Sequence, residues 1–296
     1  KSITYYVNDV GEEQMAYTTN HAGIMPIDYT FYYYGTASSK MRAQANSVGL
    51  AMYGAKTQSN FNEDWVFDHF VIGTSTYTKS VTYYANGVGD EQVDATKRLY
   101  WGTVTDITYY FYNNANKTRP DSTTIGLAMY ASQTQKGNTG VSSSPGTNSA
   151  TRSITYYYTG NGPGFEQAIY TDNYTNSVHT TRTLYYYGTV SGGPGSQPDM
   201  GTATRSMVRS ITKRWNASTD SVGSTESITY YDIHLGPGNE LASYTDNYYS
   251  NGLVSSRTRY WYGTATIIPG DPESGIVQAA SASLSSRMVK SLSMNQ

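Results

Sequence analysis

The sequence predicts a mainly β fold built from four tandem antiparallel units with Gly-x-Gly hairpins, each unit having room for one short helix. Three recurring blocks carry that expectation. The first is Ser2-Ile3-Thr4-Tyr5-Tyr6, which returns as Ser80-Val81-Thr82-Tyr83-Tyr84, Ser153-Ile154-Thr155-Tyr156-Tyr157 and Ser227-Ile228-Thr229-Tyr230-Tyr231. The second follows each opening: Gly11-Glu12-Glu13-Gln14, Gly89-Asp90-Glu91-Gln92, Gly162-Pro163-Gly164-Phe165-Glu166-Gln167 and Gly236-Pro237-Gly238-Asn239-Glu240-Leu241. The third is Tyr32-Tyr33-Tyr34-Gly35-Thr36, matched by Tyr109-Tyr110-Phe111-Tyr112, Tyr185-Tyr186-Tyr187-Gly188-Thr189 and Tyr260-Trp261-Tyr262-Gly263-Thr264.

The first and third blocks are dense in β-branched and aromatic residues and bounded by Gly, Pro, Asn and Asp, the signature of strands joined by turns. In the last two copies the second block reads Gly-Pro-Gly, where Pro fixes φ and the flanking glycines accept positive φ. A tight reversal follows. The repeat places boundaries at 1–79, 80–152, 153–226 and 227–296. Copies one and two share Val48-Gly49-Leu50-Ala51-Met52-Tyr53 and Ile125-Gly126-Leu127-Ala128-Met129-Tyr130, whereas three and four share Tyr170-Thr171-Asp172-Asn173 and Tyr244-Thr245-Asp246-Asn247, a pattern of two successive duplications. Between the halves, Lys136 to Thr151 has the composition of a flexible connector.

The end of each copy is less regular. Met207, Val208, Ile211 and Trp215 recur at helical spacing, and Pro198-Asp199 or Pro272-Glu273-Ser274 suit a helix start. Val48, Leu50 and Met52 alternate as a strand does.

Composition narrows the function. Charged residues make up 14% of the chain, against about 25% in an ordinary soluble domain. With a net charge of −2 there is no basic field for nucleic acid or anionic lipid. No apolar run reaches the roughly 20 residues that a membrane-spanning helix needs. Cysteine is absent, which removes disulfides and thiolate chemistry together. The chain opens at Lys1 rather than at a methionine, which suggests a processed product whose leader has been removed. Thirty-one tyrosines carry much of the apolar content on rings that end in a hydroxyl, side chains suited to surfaces that bury on contact with another molecule. Adjacent tyrosines in a strand point to opposite faces, so the expected contact residues are Tyr32, Tyr33, Tyr34, Tyr109, Tyr110, Tyr185, Tyr186, Tyr187, Tyr260, Trp261 and Tyr262.

No catalytic constellation emerges. His21, His69, His179 and His234 occupy unrelated repeat positions and form no close ligand pair. The recurring acid, Glu13, Glu91, Glu166 and Glu240, lies just past each turn. A glycosidase needs two acids facing each other across a cleft. Asp9, Glu12 and Glu13 are candidate calcium ligands, weighed against a glutamate that simply caps turn amides. Asn60, Asn62 and Asp64 alternate as oxygen ligands do, but in an insertion whose Trp65, Phe67 and Phe70 read better as an apolar arm. Sequons begin at Asn116, Asn173 and Asn216, candidate glycosylation sites in a secreted chain.

The cysteine-free Ser-Ile-Thr-Tyr-Tyr and Tyr-Tyr-Tyr-Gly-Thr copies resemble the repeat-built β-rich surface proteins of prokaryotes, such as archaeal sheath and surface-layer subunits. The resemblance implies a secreted subunit that polymerises with copies of itself into a cell-enclosing tube or lattice, with no catalytic residues to carry over. A different class, a multivalent lectin or adhesin binding surface glycans, would use Trp101, Trp215 and Trp261 as sugar platforms. Only Trp261 lies in a repeated block, which weighs against it. A glycoside-active β enzyme is a third reading and requires a cleft with two opposed carboxylates.

Overall fold

The computed structural model describes residues 2–22, 24–36, 39–59, 76–113, 116–137, 143–198, 204–263, 276–282 and 287–295. The protein is mainly β, and its strands pair antiparallel. It forms two compact units, Lys1–Ile154 and Thr155–Gln296.

The first unit contains β1 (Ser2–Val7), β2 (Gln14–Ala22), β3 (Met25–Gly35), β4 (Lys40–Arg42), β5 (Met52–Gln58), β6 (Thr78–Ala85), β7 (Gln92–Tyr100), β8 (Thr103–Tyr112) and β9 (Met129–Lys136). Each long strand pairs with the next along the chain, and β3 also takes β4 as a short partner. β10 (Thr151–Tyr158) leads into the second unit, which continues with β11 (Gln167–Thr175), β12 (Val178–Gly188), β13 (Ser206–Asn216), β14 (Ser221–Asp232), β15 (Leu241–Tyr248), β16 (Val254–Gly263), β17 (Ile276–Gln278) and β18 (Arg287–Asn295). There β11 through β16 pair in succession, and β16 takes both β17 and β18.

The turns have local causes. Asn8 and Asn86, each just past a first strand, both sit at φ 77°, a left-handed conformation that Asn tolerates better than most residues. Between β10 and β11 the chain needs two such positions, Gly162 at φ 86° and Gly164 at φ 81°, where a Cβ would be strained.

A bulge recurs beside every tyrosine block. Tyr33 faces Gly54 but Tyr34 faces Met52, so one residue of β5 is left over. The same slip occurs at Phe111/Tyr112, Tyr186/Tyr187 and Trp261/Tyr262. An extra residue on one strand bends it and increases its twist. In the first unit one face carries Phe31, Val81, Ile107 and Phe111, all at 2% exposure or less, and sealing a Phe contributes about 1.5–3 kcal/mol. In the second, Tyr262 packs with Ala279 and Ala282, with Leu241 and Tyr260 alongside.

The expected helix at Met207–Trp215 is corrected: these residues form β13. Ser206, Val208 and Ser210 are buried in alternation, a two-residue period. The helical spacing arose because two of the inward positions are serines and do not register as core. The described helical turns are both 3-10, Ala45–Ser47 and Ala279–Ser281. Asp199 and Pro272-Glu273-Ser274 lie outside the described residues. The described end of the expected connector is tied down: Gln133 exchanges hydrogen bonds with Gly146 (2.6 and 3.0 Å), and Lys136 donates to the Ala150 carbonyl at 2.8 Å.

Candidate functional site

One sheet face is lined by threonine hydroxyls in register. Thr4 meets Thr18 at 2.9 Å, and Thr18 meets the Tyr32 hydroxyl at 3.1 Å. The trio returns as Thr82, Thr96 and Tyr110 (3.1 and 3.4 Å), Thr155, Thr171 and Tyr185 (2.8 and 2.9 Å), and Thr229, Thr245 and Tyr260 (2.8 and 3.1 Å). Two residues before each of these tyrosines, hence on the same face, stands another threonine bonded across the strand pair. These contacts are Thr30 to Thr57 (2.9 Å), Thr108 to Thr134 (2.9 Å), Thr183 to Thr212 (3.0 Å) and Thr258 to Ser293 (2.6 Å). Cross-strand hydroxyl pairs stabilise a sheet by about 0.2–1 kcal/mol each.

The last tyrosine of each block is used differently. Tyr34, Tyr112, Tyr187 and Tyr262 donate to the carbonyls of Met15, Val93, Ala168 and Ala242 at 3.1, 3.1, 3.2 and 2.8 Å. Burial pushes the Tyr34 hydroxyl up to about 12 and raises Tyr187 as well. The glutamine that follows the repeated acid anchors the loop before a later strand, β5, β9 or β13. Gln14 Nε2 donates to Ser47 O (2.8 Å), Gln92 Nε2 to Thr124 O (2.9 Å) and Gln167 Nε2 to Arg205 O (3.2 Å). In the fourth copy the position is Leu241.

Three arginines lie over aromatic rings while gripping a carboxylate. Arg182 donates to Asp172 through Nε (2.6 Å) and Nη2 (2.8 Å), with its guanidinium 4.1 Å from the Tyr170 ring centre. Arg257, Asp246 and Tyr244 repeat this at 2.6, 2.8 and 4.5 Å. Arg119 grips Asp94 over Tyr109. Sequence reasoning missed both the glutamines and these clamps, although Asp172 and Asp246 fall within a matched block.

The structure redistributes the expected contact tyrosines. Tyr33, Tyr34, Tyr109, Tyr187 and Tyr262 are buried within the single chain. The last ring of each block is covered, and its hydroxyl finds a backbone carbonyl. Tyr32, Tyr110, Tyr185, Tyr186, Tyr260 and Trp261 are half-buried. The exposed aromatics among the described residues are instead Tyr5 and Tyr6 on β1, and Tyr77, Tyr100, Trp101, Phe165 and Tyr249 at turns or strand ends. Val10, Val88, Ile24, Met25 and Leu253 add apolar turn tips.

The calcium candidates are not gathered. Glu13 Oε2 accepts the Gly11 N–H at 2.8 Å, and the Asp9 backbone carbonyl accepts the Glu12 N–H at 2.9 Å. No three His, Cys, Asp or Glu side chains converge among the described residues. The Glu91 carboxylate accepts from Gly89 N (2.9 Å) and Met52 N (3.1 Å), and Glu240 accepts from Met207 N (2.9 Å), so these acids bind backbone amides. Asn60, Asn62, Asp64, Trp65, Phe67, His69 and Phe70 lie outside the described residues.

Of the sequons, Asn116 and Asn216 are exposed. Asn173 is half-buried in β11 and donates to Thr181 Oγ1 at 3.1 Å, a poor acceptor position. Of the lectin candidates, Trp215 is stacked 3.8 Å from His179 with Arg182 above it. Trp261 lines an open groove of about 230 Å³ with Tyr244, Arg257 and Tyr260, below the roughly 300 Å³ at which small-molecule sites begin. No described helix is long and apolar enough to cross a membrane. No protein-family model matches the chain, and no curated protein matches it.

Proposed function

We propose that this chain is a secreted structural protein made of four tandem β units, each opened by a hairpin at a glycine turn, that self-assembles into an extracellular filament, sheath or surface layer. One observation carries the reading. The last strand of one copy pairs with the first strand of the next in a repeated register, Thr57 facing Ser80 at β5–β6 and Thr212 facing Ser227 at β13–β14. A copy is thus a module whose leading and trailing edges fit each other, and such a module adds further copies by the contacts that already hold it. Low charge removes the repulsion that ordinarily limits association, and apolar turn tips offer lateral contacts. Size-exclusion chromatography and electron microscopy of the purified chain test this. Ordered tubes, sheets or fibres that grow with concentration are expected, and a monomer that persists at roughly millimolar concentration would overturn it.

The second reading, a carbohydrate-binding protein, is favoured by the groove at Tyr244, Arg257, Tyr260 and Trp261. Arg and aromatic side chains are common anchors of recognition surfaces. Glycan binding lost on Trp261→Ala, in a chain that stays dispersed, would select it over assembly.

A further inference from the structure

Among the described residues of their units, β1 and β18 each pair on one side only, with β2 and β16. β1, Ser-Ile-Thr-Tyr-Tyr-Val, contains no charge and no proline, the devices by which exposed edges are ordinarily kept from pairing. Ile3 is 49% exposed and Leu292 45%. Val81, which occupies in β6 the place of Ile3 in β1, is fully buried and faces Lys56 of β5. β5 covers Val81, and no described strand of the first unit lies on the corresponding side of Ile3.

We propose that β18 of one molecule supplies that strand to β1 of the next, in the register already used between copies. The proposal rests on the self-assembly reading and specifies its contact. The register follows from the bond pattern. Ser293 stands to Thr258 as Thr57 stands to Thr30 and Thr212 to Thr183. Thr57 faces Ser80 and Thr212 faces Ser227, whose counterpart in β1 is Ser2. Ser293 therefore faces Ser2 of the next molecule, Leu292 faces Ile3, and Ser291 faces Thr4. Both apolar side chains then meet on one face, as Ile211 and Ile228 do between β13 and β14. On the other face Ser291 extends the hydroxyl row into Thr4 and Thr18. Two different edges make a head-to-tail contact, which closes into a ring or grows into an open filament according to its rotation.

The absence of cysteine allows a direct test by disulfide trapping. A tagged Ile3→Cys chain is mixed with an untagged Leu292→Cys chain under mild oxidation, and Thr4→Cys is mixed with Ser291→Cys in parallel. Neighbouring antiparallel pairs alternate between wide and close spacing, so one of the two falls at a Cα separation of about 4.5 Å, within disulfide reach. A tagged–untagged dimer is expected in at least one mixture, exceeding either self-linked product, with none from the offset pair Tyr5→Cys and Leu292→Cys. Ile3→Asp, at an exposed site, is expected to keep the circular dichroism of the parent chain while ending polymer growth. Polymers that form without the matched cross-link, or that link the offset pair equally, would overturn the proposed edge and leave self-assembly standing. A chain that stays monomeric by microscopy and does not cross-link defeats both.

Discussion

The Tyr187 hydroxyl donates to the backbone carbonyl of Ala168 at 3.2 Å, reaching from β12 across to β11. Tyr34, Tyr112 and Tyr262 make the matching bond. Replacing each in turn by Phe keeps the ring and removes only the donor. Each substitution is expected to lower the unfolding free energy by about 1 kcal/mol, the usual net worth of such a bond. The urea midpoint should fall with its slope unchanged. The four bonds share no partner, so the losses of two substitutions within one unit should add. Unequal losses, with Tyr187→Phe neutral and Tyr34→Phe severe, would show that ring packing and not this bond is the common element.

How far the sequence reached depended on which signal each residue gives. Ser-Ile-Thr-Tyr-Tyr reads as strand because both its β-branched and its aromatic members favour a pleated surface, and β1, β6, β10 and β14 contain those segments. The inward positions of β13 defeated the same reading, since Ser206 and Ser210 are buried yet polar. The tyrosine blocks were legible as strands but not as surfaces. Adjacent rings alternate in direction, but a bulge on the partner strand decides what each ring meets, and nothing in three consecutive tyrosines marks where it falls. The Arg182–Asp172 clamp joins residues ten apart on neighbouring strands, and pairing at that distance needs the register before it can be seen.

The Arg182–Asp172 clamp should be strongly coupled. Asp172 is 4% exposed and takes both bonds of one guanidinium, which also lies over Tyr170 and Trp215. Arg182→Met is expected to cost roughly 3–5 kcal/mol, because it takes the guanidinium from a buried carboxylate and leaves it the His179 Nε2 at 3.1 Å. Adding Asp172→Leu should recover much of that loss. Urea unfolding of the two single variants and the double variant closes the cycle. Losses that simply add would mean that the pair does not act as a unit.

Alkaline stability should be set by the buried phenols. Burial raises Tyr34 to about 12 and raises Tyr83, Tyr187 and Tyr231 from an ordinary value of 10.0. The folded state thus holds phenolic protons more tightly than the unfolded chain. Its advantage is complete below the ordinary value and is lost as pH rises through the raised ones. Phenolate absorbance is expected to appear in two groups, the later one rising together with the loss of strand circular dichroism. Tyr34→Phe should remove one phenol from the later group. Ionisation of every tyrosine near the ordinary value, with the fold intact, would contradict the burial of these hydroxyls.

Neutral pH should loosen a smaller attachment. His234 Nδ1 bonds the Asp232 carboxylate, and Nε2 donates to the Ala282 carbonyl at 2.7 Å. The ring holds its second proton more firmly because the Asp232 carboxylate accepts one N–H and the Ala282 carbonyl the other, which raises its pKa above 6.5. Burial acts to raise Asp232, but its hydrogen bonds from the His234 side chain and backbone outweigh that and hold it below the ordinary carboxylate value. The histidine's contribution is therefore complete below its unfolded value and disappears as pH rises through its raised one. The aspartate's contribution is present above its unfolded value and disappears as pH falls through its depressed one. Between those limits the segment at residues 279–282 is most firmly held to the end of β14. Backbone hydrogen exchange there, corrected for intrinsic rate, should show protection that declines from pH 6 to pH 8, a range set by the ordinary histidine value of about 6.5. His234→Gln should flatten that dependence while leaving protection in β12 unchanged. An unaltered decline in the variant would place the switch on another group.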